Sequence, residues 1–296
     1  MRVVYSPRYR LDLGPHVFPA HKYALVASAV AQAGLVPQGF VEPAMATWDE
    51  LAEVHTASYL ADLRGGRLSP QAIARLEIPC TPGLVDAFRL MTGGTLTATG
   101  LALDGVDRMA VHIGGGFHHA FAGHGEGFCV FNDVAVAIRK AFAQRQAASA
   151  AVLDLDVHHG NGTAAIFAAE PRVFTASVHE ADNYPEVKPP SSLDVGLARH
   201  TGDDEYLRQL DAVLDRVLAR MPDVVVYLAG ADPYDDDQLG RLCMSRDGLR
   251  RRDRAVFQAL RAAGVPVVTV LAGGYARRVD DTVAIHLATI EEAAAA

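Results

Sequence analysis

Two hydrophobic periods alternate along the chain. Short apolar runs rich in Val, Ile and Leu predict buried parallel strands at 3–5, 107–115, 150–157, 172–179, 223–231 and 265–274. Amphipathic helices are predicted over 132–149 and 203–220, where apolar residues recur every three or four positions. This alternation is typical of a three-layer α/β/α fold with a mostly parallel central sheet. No repeat or break in composition divides the chain, so residues 1–296 are expected to form a single domain.

Polar residues follow five of the predicted strands. They are His118 and His119, Asp156 and His158, His179, Asp232, and Tyr275. In open parallel sheets, ligands bind in the crevice beyond the carboxyl ends of the strands. The five strand ends therefore predict one shared pocket.

The stretch LDLDVHHGNG (153–162) places charged side chains in an apolar run. The two-residue period of a strand puts Asp154, Asp156 and His158 on one side of it. A carboxylate and an imidazole so placed can reach one metal ion, and Asp232 can supply a third ligand from another strand. Such a set leaves a position open for water, as in catalytic zinc sites. The alternative is that the two aspartates cap a helix or a turn.

A second chemical pattern is the pair His118 and His119, which follows three glycines. An imidazole titrates near neutral pH, so the pair can accept a proton from water and return one to a leaving amine. Tyr275 follows a glycine pair and can donate a hydrogen bond to an oxyanion. A histidine pair alone is more often structural, and such a tyrosine alone usually packs. A neighbouring metal site favours catalysis for both.

Composition limits the classes of partner. The chain has 50% hydrophobic residues, a net charge of −8 and a pI near 5.8, which gives no overall attraction to nucleic acid or to an anionic membrane. The first residues lack the apolar core of a signal peptide, and no run approaches the roughly 18 residues needed to span a bilayer. A cytoplasmic protein is expected, and its oligomeric state is left open.

The cysteines add no candidate site. Cys80, Cys129 and Cys243 are widely spaced and form no C-x-x-C pair, so neither a disulfide framework nor a thiolate zinc site is indicated. All three are expected to be small core residues.

Six motifs in most of the chain resemble those of the histone deacetylase superfamily, which has an arginase-like fold. They are GGGFHHA, GEGFCVFNDVAVA, LDLDVHHGNGT, SVHE, YLAGADPYDDDQLGRL and LAGGYA, in that order. The details GHGEGFCVFND and HHGNG are most similar to bacterial deacetylases related to class IV enzymes. The resemblance implies the fold already predicted and a zinc-dependent deacetylase activity.

The resemblance also implies a role for each matching residue. The implied zinc ligands are Asp156, His158 and Asp232, the implied catalytic pair is His118 and His119, and Tyr275 would polarise the amide carbonyl. Asp154 would support the first histidine and, with the Ser177 hydroxyl, hold a potassium ion. Gly127 and Phe128 would line a narrow acyl-lysine tunnel, and Leu239 would lie at its rim.

Asn161 departs from the commoner pattern of the family. Many members carry Asp at this position, hydrogen-bonded to the second histidine. A neutral amide favours the imidazolium form of His119 less, so the reaction rate and its pH profile are expected to depend on this residue. Lys22 is matched more weakly to a basic residue near an acetate exit channel.

The implied reaction is removal of an acetyl or longer acyl group from the ε-amine of lysine in a protein or peptide. Zinc would activate water, His119 or the pair would take its proton, and Tyr275 would help to hold the oxyanion. An acetylated polyamine or another small amide is an alternative substrate. A two-manganese ureohydrolase would need further bridging carboxylates, and a non-catalytic acyl-lysine-binding protein would not need Tyr275. Residues 189–194 are expected at the pocket mouth.

Overall fold

A parallel sheet of seven strands forms the centre of the computed structural model, which describes residues 1–296. The strands are β1 (Arg2–Val4), β2 (Met109–His112), β3 (Ala150–Asp154), β4 (Val173–Glu180), β5 (Leu193–Leu197), β6 (Val225–Leu228) and β7 (Val267–Val270). Their order is β1-β2-β7-β6-β3-β4-β5, and every neighbouring pair is parallel. The predicted fold class is therefore confirmed.

Ten helices accompany the sheet. They are α1 (Lys22–Gln32), α2 (Trp48–Ala52), α3 (Ala57–Gly65), α4 (Pro70–Leu76), α5 (Pro82–Leu103), α6 (Asp133–Ala143), α7 (Asn161–Phe167), α8 (Asp203–Leu218), α9 (Arg246–Ala262) and α10 (Val279–Ala295). None of them combines the length and the apolar character that crossing a membrane requires.

Alternate strand residues point into two separate hydrophobic cores, as a two-residue period requires. Ala151 and Leu153 of β3 belong to the larger core, which includes residues of α1, α8, α9 and α10. Val152 belongs to the smaller core on the other face, with residues of α5, α6 and α7. Because both faces of the sheet are covered, the strands read as continuous apolar runs.

Asn132 shows how a helix start fixes the region of the site. Its Oδ1 accepts a hydrogen bond from the Ala135 N–H at 2.9 Å and so caps α6. Its Nδ2 donates to the Ala120 carbonyl at 3.1 Å. One side chain therefore ties the start of α6 to the segment that follows the histidine pair.

The edge strand β5 was not predicted from the sequence. Its residues LDVGL contain Asp and Gly, which are depleted in strands, and most of them are only partly buried or are exposed. The expectation that 189–194 form the pocket mouth was wrong, because none of these residues lines the pocket.

Two of the three cysteines also differ from expectation. Cys129 is buried as predicted, whereas Cys80 is partly buried and Cys243 is exposed. Cys243 lies between β6 and α9, and its neighbours Leu242 and Met244 are buried in the core, so the alternation of this extended segment turns Cys243 to solvent.

Candidate active site

A pocket of about 230 Å³ opens beyond the carboxyl ends of the central strands. Five of the predicted site residues line it, namely His118, His119, Asp156, His158 and Tyr275. Asp232 does not line the pocket itself but lies against its lining residues Asp156 and His158, whereas His179 lies outside the pocket. His179 lies within β4, and its Nδ1 is hydrogen-bonded to the Ser177 hydroxyl at 3.0 Å. Its ring centre is 4.8 Å from that of His159. That expectation is therefore corrected.

Asp156, His158 and Asp232 form the only group of three metal-ligating side chains with suitable spacing, and their candidate ligand atoms lie within 4.8 Å of one another. All three are buried. Asp156 Oδ2 accepts a 2.8 Å hydrogen bond from the Gly273 N–H, and Asp232 Oδ1 accepts one of 2.9 Å from the Val157 N–H. Asp232 Oδ2 is buried without a hydrogen-bond partner. Because a buried carboxylate oxygen without a partner is costly, this atom is suited to a cation.

The charges of the cluster point the same way. Burial and the neighbouring Asp156 raise the pKa of Asp232 to about 7. Burial alone lowers the pKa of His158, but its hydrogen bond to Asp156 and the charge of Asp232, whose Oδ2 lies 3.5 Å from its Nδ1, outweigh burial and raise that pKa to about 10. Two carboxylates thus compete for one positive partner inside the protein, so the residues fit a divalent metal ion.

Gly273 allows this cluster to form. Its N–H donates to Asp156, and a Cβ at this position would collide with the carboxylates of Asp232 and Asp156. Gly273, the first glycine of the pair before Tyr275, is therefore required by the close approach of the two carboxylates.

The two aspartates of LDLDVHHGNG also act as turn residues. Asp154 Oδ1 accepts a 3.2 Å hydrogen bond from the Asp156 N–H, and Asp156 Oδ1 accepts one of 3.0 Å from the His158 N–H. The two aspartates therefore stabilise a turn as well as belonging to the site, and β3 ends at Asp154 because the backbone turns there. His159 lies on the opposite side, where its Nε2 is 3.1 Å from Asp194 Oδ1.

The histidine pair is held by one side chain on each ring. His118 Nδ1 lies 2.7 Å from Asp154 Oδ2, and His119 Nδ1 lies 2.7 Å from Asn161 Oδ1. The two Nε2 atoms are 3.1 Å apart. Each ring therefore directs Nε2 towards its neighbour at the base of the pocket.

The two histidines differ in charge. Burial lowers the pKa of His118, but Asp154 and Asp156 outweigh it and raise that pKa to about 9. Burial, together with the charges of His118 and His158, lowers the pKa of His119 well below its ordinary value. The arrangement thus holds a cationic donor beside a neutral acceptor.

Tyr275 lies across the pocket from the pair. Its ring centre is 6.4 Å from that of His158, and its N–H donates to Asp237 Oδ2 at 2.7 Å. Burial and nearby carboxylates raise the pKa of its phenol well above the ordinary value, so the hydroxyl remains a donor at neutral pH. Beneath it, the buried Lys22 Nζ donates to the Ala272 carbonyl at 3.0 Å and lies 5.5 Å from the Tyr275 ring centre.

The pocket wall contains both the residues that the resemblance implies and further aromatic residues. Gly127, Phe128 and Leu239 line the pocket, as the resemblance implies. Phe128 adopts a left-handed φ of 67°, which its N–H stabilises by donating to the Leu76 carbonyl at 2.9 Å. Sequence reasoning missed Tyr184 and Phe18, which also line the pocket. Tyr184 lies in the segment NYPE (183–186), whose residues give no chemical signal in the sequence.

Ser177 is next to Asp154, because the two residues are register partners across β3 and β4. Both Asp154 carboxylate oxygens are already engaged, with His118 and with the Asp156 N–H. Any potassium ion here would have to share those oxygens or use main-chain carbonyls, so the predicted potassium site stays a prediction.

Comparisons with known proteins bear on the family and the fold of the chain. Residues 16–290 match the family model described as histone deacetylase domain. The chain is 39% identical to an uncharacterized protein of Picosynechococcus sp., over 96% of this chain and 95% of the relative. It is 32% identical to histone deacetylase 2 of Arabidopsis thaliana, over 92% of this chain and 74% of the relative. The crystal structure of the HDA15 HD domain superposes with a TM-score of 0.80 at 24% identity, covering 98% of this chain and 90% of the other.

Proposed function

Because the chain belongs to the histone deacetylase family, we propose that it is a zinc-dependent deacylase that removes acetyl or longer acyl groups from the ε-amine of lysine. Family membership supports a hydrolase that acts on amides. The observation that carries the finer proposal is the placement of a buried Asp-His-Asp cluster beside the histidine pair, at the base of one pocket.

In this proposal Asp156, His158 and Asp232 hold the zinc ion. When bound, zinc supplies Lewis acidity to the acyl carbonyl and to the attacking water. The partnerless Asp232 Oδ2 and the shared charge of the cluster support this assignment. The single cluster favours one metal ion over the two-manganese alternative.

His119 is proposed as the general base. Its low pKa keeps the ring neutral, and its Nδ1 contact with Asn161 leaves Nε2 as the atom that accepts a proton from water. His118, held by Asp154 with a raised pKa, is proposed to donate the proton that the departing amine needs. The two histidines have different roles because His118 is paired with the carboxylate of Asp154 and His119 with the neutral amide of Asn161.

Tyr275 is proposed to donate its phenol hydrogen bond to the oxygen that becomes negative as water adds to the carbonyl. The wall formed by Phe128 and Tyr184 would pack against the aliphatic chain of an acyl-lysine and exclude bulk water. Both features suit a long, narrow substrate that ends in an amide.

A comparison of three substrates tests the proposal. Zinc-loaded protein is incubated with an acetyl-lysine peptide, a long-chain acyl-lysine peptide and an acetylated polyamine, and release of the free amine is measured. We expect hydrolysis of at least one acyl-lysine peptide, and loss of that activity when the metal is removed and its return when zinc is restored. Hydrolysis of the polyamine alone would move the substrate class to small amines. Binding of acyl-lysine without hydrolysis would contradict the enzyme assignment.

A further inference from the structure

Glu126 lies next to Gly127 of the pocket wall and is not used in the mechanism above. Three groups contact its carboxylate, which accepts hydrogen bonds from Asn161 Nδ2 at 2.7 Å and from the Tyr184 hydroxyl at 3.1 Å, and lies 3.3 Å from His124 Nε2. Burial opposes its charge, but these partners outweigh burial and lower its pKa below the ordinary value. The side chain is therefore a carboxylate at neutral pH and acts only as an acceptor.

The backbone holds Glu126 in place. Its N–H donates to the Cys129 carbonyl at 3.1 Å, and the Cys129 N–H donates back to the Glu126 carbonyl at 2.9 Å. The next residue, Gly127, donates to the Arg75 carbonyl at 3.2 Å and so attaches the segment to α4. Glu126 thus presents a fixed carboxylate to Asn161.

That carboxylate determines which way the amide of Asn161 faces. An asparagine amide has one donor end and one acceptor end, and a carboxylate accepts only from the donor end. Nδ2 must therefore face Glu126, and Oδ1 must face His119 Nδ1 at 2.7 Å. Because Oδ1 cannot donate, His119 Nδ1 must carry a proton, and Nε2 of the neutral ring is left unprotonated.

We propose that Glu126 is a positioning residue that sets the tautomer of His119 through the amide of Asn161. In this arrangement the Glu126 carboxylate acts on His119 from one hydrogen bond away, because its acceptor-only character fixes the orientation of the Asn161 amide. The catalytic consequence rests on the proposed deacylase function. The tautomer itself does not, and it can be measured separately.

Glu126→Gln is the first test, because it preserves the shape of the side chain and removes the constraint. A glutamine amide can donate as well as accept, so the Asn161 amide is free to turn and His119 populates both tautomers. We expect kcat to fall by roughly tenfold, since general-base catalysis contributes on the order of 100-fold or more, and KM to change less than kcat. His124→Gln is the matched control: it removes another partner of Glu126, leaves the contact with Asn161 intact, and is expected to keep kcat.

Asn161→Asp separates a positioning role from a structural one. In the Glu126→Gln background, an aspartate at 161 accepts only, so it fixes the His119 tautomer by itself and is expected to restore kcat. Asn161→Asp alone would bring the new carboxylate against that of Glu126, where Asn161 Nδ2 now donates a 2.7 Å hydrogen bond. Because the two negative charges repel each other, this single variant is expected to have a lower kcat. A double variant no better than Glu126→Gln would overturn the proposal.

Spectra of protein labelled with ¹⁵N-histidine give the tautomer directly, whether or not the protein is active. The His119 signals are assigned by their loss in His119→Gln. We expect the Nδ1–H tautomer in the zinc-loaded wild type, a mixture in Glu126→Gln and the wild-type pattern in the double variant. An Nε2–H tautomer of His119 in the wild type, or an unchanged tautomer in Glu126→Gln, would contradict the proposal. Inactivity of the wild type with these spectra intact would count against the proposed function alone.

Discussion

Asp232 combines a satisfied and an unsatisfied carboxylate oxygen. Oδ1 accepts from the Val157 N–H, whereas Oδ2 is buried and has no partner. In Asp232→Asn, the carbonyl oxygen can keep the first bond while the negative charge is lost. We expect zinc measured by elemental analysis to fall to a small fraction of the wild-type content. The metal-free variant is expected to be at least as stable as the metal-free wild type, because a buried carboxylate next to the carboxylate of Asp156 is removed.

Asp194→Asn is the control for this change. Asp194 pairs with His159 on the side of β3 away from the Asp-His-Asp cluster, so its substitution is expected to leave the zinc content unchanged. A full zinc content in Asp232→Asn would contradict the assignment of Asp232 as a ligand.

At the scale of single residues, much of the site was predictable from spacing. Two-residue alternation placed Asp154, Asp156 and His158 together, and the rule for strand ends added Asp232 and Tyr275. The end of β4 was predicted to within one residue, but His179 was misplaced because its ring packs against His159, on the side of β3 away from Asp156 and His158. The roles of Glu126 and Tyr184 depend on contacts between distant loops, for which the sequence has no local signal.

His55 follows α2 and links that element to the loop of the histidine pair. Its Nδ1 donates to the Phe121 carbonyl at 3.1 Å, and its Nε2 accepts from the Asn132 N–H at 3.1 Å, so both bonds require a neutral ring. Burial lowers its pKa to about 4, against 6.5 in the unfolded chain. The unfolded state therefore binds the proton first as the pH falls, and the stability from this residue is present above pH 6.5 and lost towards pH 4.

The prediction concerns the slope of stability against pH. Between pH 4 and 6.5, His55 is expected to contribute up to about 1.4 kcal/mol per pH unit to the free energy of unfolding. His55→Gln should flatten the slope by that amount in urea titrations of metal-free protein, although the variant starts from a lower stability. Parallel curves for the wild type and the variant would show that His55 is not responsible.

At the scale of elements, the buried strands were the easiest to predict. Their apolar runs are continuous because helices cover both faces of the sheet, and six of the seven strands lie within or overlap the predicted ranges. β5 was missed because it lies at the sheet edge, where partial exposure removes the need for a continuous apolar run. Strand ends were overextended, since the polar residues that follow β3 keep the same alternation after the backbone has turned.

At the scale of the whole molecule, the two cores meet at a sheet whose carboxyl edge carries the buried Asp-His-Asp cluster that is proposed to bind zinc. A ligand that binds only the folded state adds stability. At a free zinc concentration about 100 times the Kd, the gain is roughly 2.7 kcal/mol, which corresponds to a rise in Tm of roughly 5 °C for a chain of this size.

Calorimetry of metal-stripped protein with and without added zinc measures this shift. Asp232→Asn should show little or none of it, whereas Asp194→Asn should show the full effect. An equal rise in Tm for the wild type and Asp232→Asn would place the stabilising zinc elsewhere on the molecule.

The fold class and single sheet were predictable at this scale because the order of apolar runs and helices allows few topologies. The aromatic lining of the pocket was not predictable from pattern alone, since it comes from segments far apart in the chain, such as those of Phe18 and Tyr184. Their meeting depends on the packing of long connections that have no hydrophobic period of their own.

The most direct test of the central claim is the kcat/KM of Tyr275→Phe on an acyl-lysine peptide, with zinc content and Tm measured on the same sample. The variant loses only a hydroxyl that faces the pocket, so it should fold and keep its zinc. Loss of one oxyanion donor is expected to lower kcat/KM by roughly 100-fold or more. A zinc-loaded, folded variant that retains near-wild-type turnover would contradict the account.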